Sequence, residues 1–110
     1  MQAEEESRLD PAALEELHDL GGDEFVADLV DTFLAEAPPL LATLRGSDVG
    51  EVRRAAHTLK SNGATFGAMR LSELCRGLEE QARAGELAGA PTLAAQIEAE
   101  YMLVAEELRR

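Results

Sequence analysis

The residue of this chain whose type and surroundings best fit a chemical role is His57. It lies within the sequence AAHTLKSNGATFGA, which covers residues 55–68 and follows helical spacing. An apolar helix face is formed by Val52, Ala55, Ala56, Leu59 and Gly63. His57 lies about 140° from the centre of that face, on an outer stripe shared with Arg53, Lys60, Ser61 and Ala64. The spacing therefore predicts an exposed imidazole beside cations and small side chains, which suits contact with a phosphoryl group.

Phosphoryl transfer through a histidine requires few parts. The imidazole can act as a nucleophile near neutral pH, since the ordinary pKa of a histidine is about 6.5. A nearby cation balances the charge of the transferred group, and Lys60 or Arg53 could supply it. Small residues let a partner's active site approach closely, and this segment offers Ser61, Gly63 and Ala64.

The second ring nitrogen of such a histidine needs an acceptor that fixes the tautomer of the imidazole. Glu79 and Glu80 both lie on the helix predicted to follow, and either could reach across to His57. The sequence leaves this choice open, because it depends on how the helix is rotated.

The positions of apolar residues predict the fold that must hold these groups. They recur at helical spacing, and the β-branched and aromatic runs typical of strands are missing. The pattern predicts an all-α protein, an antiparallel up-and-down four-helix bundle with a short additional N-terminal helix. Residues 1–8 are expected to form a flexible acidic tail, and residues 9–110 the bundle domain.

Glycine and proline predict where the helices end. The short helix should stop at Gly21-Gly22, and Pro38-Pro39 should break or kink the helix that follows. A turn is expected between Gly63 and Gly67, although the helix that carries His57 could run past Gly63, since a helix tolerates glycine at a cost of about 1 kcal/mol. The remaining two helices are predicted at about residues 69–84 and 92–108.

The charge distribution excludes several kinds of partner. A formal net charge of -12 at pH 7 argues against binding to nucleic acid or to an anionic membrane surface. Residues 51–76 reverse this balance and form a locally basic patch around His57. No apolar run approaches the length of a membrane span, and we expect a cytoplasmic location.

The residue types present also argue against a cofactor. One cysteine and two separated histidines do not provide a metal-ligand set, so no metal site is predicted. Cys75 has helical spacing from Leu71 and Leu78, which favours a buried, inert thiol. No Gly-x-x-x-x-Gly-Lys-Ser/Thr loop is present to bind ATP. We therefore expect no kinase activity and no cofactor in this chain.

Residues 56–68 resemble the signature of histidine-containing phosphotransfer (HPt) domains, in which His-x-Leu-Lys-Gly-Ser precedes small residues and then Gly-Ala or Gly-Leu. The resemblance extends over nearly the whole chain. It implies that His57 is the phosphoacceptor, that Lys60 stabilises the phosphoryl charge and that Glu79 orients the imidazole. Ser61 departs from the commonest glycine but is still small, so it should affect partner fit more than competence.

The same resemblance implies a place in a phosphorelay. His57 would attack the phospho-aspartate of a receiver domain through Nε2 and then donate the phosphoryl group to a second receiver. Mg²⁺ is expected in the receiver rather than in this chain. The expected partners are response-regulator receiver domains and a hybrid sensor kinase. We expect them to contact Arg53, Ser61, Gly63 and Ala64, together with Leu14 and Leu17 of the short helix.

Two other functions compete with this interpretation. A degenerate bundle could act purely as a protein-interaction scaffold, although the intact His57 and Lys60 weigh against that. The dimerising phosphoacceptor domain of a sensor kinase typically has an acidic residue after its histidine and a proline shortly beyond. Here Thr58 follows His57 and no proline is near. A bundle that closes within one chain should be monomeric, whereas a helical hairpin must dimerise.

Overall fold

The computed structural model describes residues 7–110, and all regular secondary structure in that range is helical. The four helices are α1 (Pro11–Thr43), α2 (Val49–Thr65), α3 (Met69–Arg83) and α4 (Ala90–Leu108). The prediction of an all-α protein is therefore confirmed. None of these helices combines the length and the hydropathy that a bilayer span requires.

The first helix changes direction close to its N-terminal end. Asp10 caps α1 by accepting a hydrogen bond from the backbone N–H of Ala12, and Pro11 occupies the first helical position. Gly22 then adopts φ 83° and ψ -175°, a non-helical conformation that is open almost only to glycine. Residues 11–21 thus form a short helical segment that is set off from the remainder of α1 by this kink.

Pro38 and Pro39, which we expected to break or kink the helix, lie within continuous helical geometry that runs to Thr43. Both rings are exposed, so the carbonyls of the preceding turn that lose their helical donors can be hydrated. Leu40 packs against the core and Leu44 is buried, which holds the last turn in place. Burial on both sides of the prolines therefore outweighs the local cost of two missing donors.

The second helix presents its predicted apolar face to the core. Asp48 caps it by accepting from the backbone N–H of Glu51. Its buried residues are Val52, Ala55, Ala56, Leu59 and Gly63, which are the residues of the predicted face. The helix continues past Gly63 to Thr65, which is the alternative that the sequence left open, and the turn to α3 is confined to residues 66–68.

The core lies between four helices that contact one another in a ring. Helix α2 packs against α3, α3 against α4, and α1 against both α2 and α4. Phe33 of α1 lies at the centre, with its ring centroid 5.3 Å from that of Phe66 and 5.7 Å from that of Tyr101. These aromatic contacts join the first helix, the α2–α3 turn and the last helix. The side of α2 that faces away from this core is exposed.

The segment before α1 is attached to the bundle. Ser7 Oγ contacts Glu107 of α4, and the Arg8 backbone N–H donates to Glu107 Oε1 over 2.7 Å. Leu9 is buried in the core, and the Asp10 N–H donates to the Gly67 carbonyl over 3.1 Å. Of the tail predicted over residues 1–8, residues 1–6 lie outside the described part of the chain.

The approach of Asp10 to Gly67 leads to a prediction about stability. Gly67 has φ 73°, and a Cβ added there would lie 2.6 Å from Asp10 Cβ and 2.7 Å from Asp10 N. Gly67→Ala should cost about 1–2 kcal/mol for the left-handed backbone and about 1–3 kcal/mol more for the clash. Chemical denaturation with far-ultraviolet circular dichroism measures both losses together.

Gly85→Ala is the matched control for this substitution. Gly85 has a similar φ of 79°, but nothing lies within 4 Å of an added Cβ. It should therefore lose only the backbone contribution of about 1–2 kcal/mol. Equal losses of unfolding free energy in the two variants would contradict the close packing of the N-terminal segment on the α2–α3 turn.

Candidate functional site

His57 lies on the solvent-facing side of α2, as its spacing predicted, and 57% of its side chain is exposed. Its Nδ1 is 2.8 Å from Oε2 of Glu79 on α3. An ionised carboxylate only accepts hydrogen bonds, so Nδ1 must carry the proton and donate it. In the neutral ring, Nε2 then keeps its lone pair and is the nitrogen available to an electrophile.

Glu79 is buried, with 4% of its side chain exposed, and it gathers three positively charged or proton-donating neighbours. His57 Nδ1 contacts Oε2, Lys60 Nζ lies 2.7 Å from Oε1, and Arg83 Nη2 lies 3.4 Å from Oε2. A buried carboxylate is costly unless it is paired and hydrogen-bonded. These contacts provide that pairing and fix both oxygens towards the His57 side of α3.

The pairing determines the protonation state of Glu79. The hydrogen bond from Lys60 is the largest influence and lowers the pKa of the Glu79 carboxyl below its ordinary value, and the hydrogen bond from His57 lowers it further. Burial acts in the opposite direction but does not prevail. Glu79 is therefore ionised at neutral pH and acts as an acceptor towards both partners on α2.

Cys75, one turn before Glu79 on α3, is buried, as its spacing predicted. Burial is the main cause that raises the pKa of its thiol to about 12, and the negative charge of Glu79 adds to the effect. The thiol is therefore uncharged at neutral pH, and an uncharged thiol is a poor nucleophile. Across residues 7–110, His, Cys, Asp and Glu side chains do not assemble into a group of three that could hold a metal ion.

The sequence left open whether Glu79 or Glu80 orients His57, and the structure places the two side chains differently. Glu79 contacts His57, whereas Glu80 is exposed. Arg83 is the residue of this cluster that sequence reasoning did not include among the site residues. The signal was available, because residues four apart on a helix lie on the same face and Arg83 follows Glu79 by four.

The residues predicted to contact a partner do not all lie at the surface. Ser61 and Ala64 are exposed, and Arg53 is half-buried. Gly63 is buried, and a Cβ there would lie 3.4 Å from Leu71 Cδ2. Its lack of a side chain therefore serves the close packing of α2 on α3 and does not widen the surface around His57.

The apolar residues predicted for docking lie on the short segment of α1. Leu14 and Leu17 are half-buried and pack against the core. Leu20, which the prediction did not include, is 77% exposed. His18, the second histidine, lies on the same segment with its Nδ1 2.9 Å from Oδ1 of Asp23. This contact joins the same kinds of atom as the contact between His57 and Glu79, but Asp23 is almost fully exposed, so water competes for its carboxylate and the ring of His18 is held less firmly.

Comparisons with known proteins give matches over most of the chain. Residues 28–107 match the family model of the Hpt domain. The chain is 34% identical over 83 residues to the phosphorelay protein LuxU of Vibrio harveyi, covering 72% of this chain and 73% of LuxU. Its structure is similar to the crystal structure of histidine-containing phosphotransfer protein B (HptB) from Pseudomonas aeruginosa PAO1, with a TM-score of 0.86. That match has 34% sequence identity and covers 93% of this chain and 91% of the other.

The lowered pKa of Glu79 predicts how acid affects stability. Its ionised form stabilises the folded state fully above the ordinary carboxyl value of 4.5, and this contribution is lost as the pH falls through the lower folded value. The free energy of unfolding of the wild type, minus that of Glu79→Gln, should therefore decrease as the pH falls below the ordinary carboxyl value and through the lower folded one. Urea denaturation at a series of pH values measures this difference.

Glu80→Gln is the control, because it removes the same charge from an exposed neighbour. The difference in unfolding free energy between the wild type and Glu80→Gln should vary much less over the same pH range. Stability curves for wild type and Glu79→Gln that stay parallel down to about pH 3 would show that Glu79 is not held as an ionised acceptor.

Proposed function

Because this chain belongs to the Hpt domain family, we propose that it is a phosphorelay intermediate in two-component signalling. In this proposal His57 accepts a phosphoryl group from the phospho-aspartate of one receiver domain and passes it to another. The observation that carries the assignment is the hydrogen bond from Nδ1 to the buried Glu79, which leaves Nε2 of an exposed imidazole as the nucleophile.

The proposed transfer is an in-line displacement at phosphorus. The lone pair of Nε2 forms the new N–P bond while the O–P bond of the acyl phosphate breaks, and the aspartate carboxylate leaves with that electron pair. Positive charge that develops on the imidazole is stabilised through Nδ1–H by Glu79. Mg²⁺ bound by the receiver would balance charge on the phosphoryl oxygens. In this proposal the chain supplies the nucleophile, and its sequence carries no Gly-x-x-x-x-Gly-Lys-Ser/Thr loop for binding a nucleotide.

Lys60 has a second role in this proposal. One of its three N–H donors is directed to Glu79 Oε1, and the side chain is still partly exposed. The remaining donors can contact oxygens of a phosphoryl group on His57, because Lys60 follows His57 by one helical turn. Lys60 would thus join the orienting carboxylate to the transferred group.

The proposed docking surface surrounds His57 on α2 and includes Arg53, Ser61 and Ala64. Ser61 and Ala64 are exposed and small, so they permit close approach of a partner. Gly63 is left out of this surface because it is buried against Leu71. Arg53 and its basic neighbours would attract a receiver with an acidic active site, as would a hybrid sensor kinase that carries such a receiver.

The proposal includes an antiparallel, up-and-down order of helices within a single domain over residues 9–110. The pairs His57–Glu79 and Gly63–Leu71 run in opposite directions along α2 and α3, which supports the antiparallel order for these two helices. A ring of four helices that closes within one chain supports a monomer. The relay role and the sequence-based expectation together favour a cytoplasmic location.

The first prediction from this proposal concerns His57→Gln. It should abolish acceptance of phosphate from phosphorylated receiver domains, because the second histidine of the sequence, His18, pairs with an exposed carboxylate and lies outside the cluster around Glu79. The label on the wild type should be acid-labile and base-stable. His18→Gln is the matched control and should accept phosphate normally. Full labelling of His57→Gln, with the fold retained, would show that the site assignment is wrong.

The second prediction concerns Lys60→Ala. Loss of one cation beside the transferred group should slow transfer from a receiver by about tenfold, which corresponds to about 1.4 kcal/mol of transition-state stabilisation. The helix content should stay unchanged because alanine favours a helix. Rapid-quench measurement of the transfer rate tests this, and a rate equal to that of the wild type would exclude a role for Lys60 in the chemistry.

A further inference from the structure

Arg83 and His57 share one oxygen of Glu79. His57 Nδ1 lies 2.8 Å and Arg83 Nη2 lies 3.4 Å from Oε2, whereas Lys60 uses Oε1. The Arg83 side chain is 62% exposed and reaches the carboxylate from the next turn of the same helix. The carboxylate thus receives its proton donors from two helices, and one of its oxygens receives two.

A cation on the oxygen that accepts from Nδ1 weakens the attraction between that oxygen and the proton on Nδ1. The negative charge of the carboxylate favours the protonated imidazole, and a guanidinium at Oε2 offsets part of that charge. The other groups that face the carboxylate are Lys60 from α2 and the uncharged thiol of Cys75 from α3. Arg83 is the most exposed of these groups, with 62% of its side chain exposed, so its replacement disturbs the packing least.

We propose that Arg83 is a positioning residue that limits how strongly Glu79 holds the His57 Nδ1 proton and thereby prolongs the phosphorylated state of His57. This inference rests on the proposed function of His57 as a phosphoacceptor. The inference concerns the lifetime of the phosphorylated protein. A histidine can accept a phosphoryl group whether that lifetime is long or short.

The chemistry of phosphate loss gives the direction of the effect. When the N–P bond breaks, its electron pair stays on Nε2, and the phosphoryl group passes to water or to an aspartate oxygen of a receiver. A ring that carries a proton on Nδ1 leaves as neutral imidazole, which is a better leaving group than the anion formed without that proton. Arg83 lowers the fraction of phosphorylated His57 that carries a proton on Nδ1. It should therefore slow loss of the phosphoryl group.

The first test needs no phosphorylation. The imidazole of His57 is titrated by NMR through its ring proton shifts in the wild type and in Arg83→Gln. Removal of the guanidinium should raise the midpoint of this titration by about half a unit, because the carboxylate then favours the charged ring more strongly. Arg83→Lys retains a cation at this position and should restore most of the wild-type midpoint.

Arg45→Gln is the matched control. It removes the same charge from an arginine paired with Glu98, and it lies before α2, whose first residue is about 12 Å along the helix axis from His57. At that separation in solvent, its effect on the midpoint should be close to zero. If the titration midpoint moves equally in Arg83→Gln and Arg45→Gln, the change in net charge alone causes the shift. That result would overturn the inference.

The second test measures the lifetime of the phosphorylated protein. After phosphorylation by a receiver or by phosphoramidate, Arg83→Gln should lose phosphate about two to three times faster than the wild type near neutral pH, with its pH profile displaced upwards by the same half unit. Arg83→Lys should again approach the wild type. A shorter lifetime with an unchanged titration midpoint would mean that Arg83 contacts the phosphoryl group itself, and that result would contradict the inference.

The two tests separate this inference from the proposed function. If His57 never accepts phosphate, the relay proposal fails, while the titration of the unphosphorylated ring still decides whether Arg83 acts through Glu79. If His57 accepts phosphate and the midpoint does not move in Arg83→Gln, the relay proposal stands and the role given to Arg83 is wrong.

Discussion

The interaction on which the site depends is the contact of one buried carboxylate with donors from the neighbouring helix. Glu79 cannot be buried as an anion without partners, and α2 provides both an imidazole N–H and an ammonium group. The same contacts that satisfy the carboxylate hold the ring of His57 in one tautomer. The pairing of the buried charge and the orientation of the imidazole therefore have a common origin, and a substitution at Glu79 changes both.

That contact requires α2 and α3 to lie close together. Ala55, Ala56 and Gly63 give α2 a face of small residues, and Leu71 of α3 packs against the glycine. Ser72 adds a hydrogen bond from its Oγ to the Lys60 carbonyl over 3.1 Å. Larger side chains on this face would separate the helices and carry Glu79 out of reach of the imidazole. The buried small residues of α2 thus serve the packing of the two helices.

The electrostatic setting of the site differs from that of the rest of the molecule. The chain carries a net charge of -12, yet the surface around His57 gathers Arg53, Lys60 and Arg83. Two of these cations are directed to Glu79, so the carboxylate reduces the local excess of positive charge that the imidazole experiences. A cluster of this composition can attract an anionic partner and still allow the ring to become positively charged during the proposed transfer.

The sequence by itself determined which face of α2 is buried, because apolar and small residues at spacings of three and four have one way to face a core. That periodicity was enough to place His57 in solvent beside Lys60 and to predict an all-helical chain. The prolines show where local rules were insufficient. Pro38 and Pro39 lack backbone donors, but their exposure and the burial of Leu44 let α1 continue.

Only the tertiary structure decided which glutamate meets the imidazole and which glycine serves packing. Glu79 and Glu80 differ by about 100° around α3, so the choice depends on the rotation of α3 against α2. That rotation is set by the burial of Cys75, Leu78 and Ala82 together. Helical periodicity in the sequence alone does not distinguish two adjacent residues such as these glutamates. The partners of a buried charge are fixed by packing between helices, whereas the exposure of a side chain follows from the pattern within one helix.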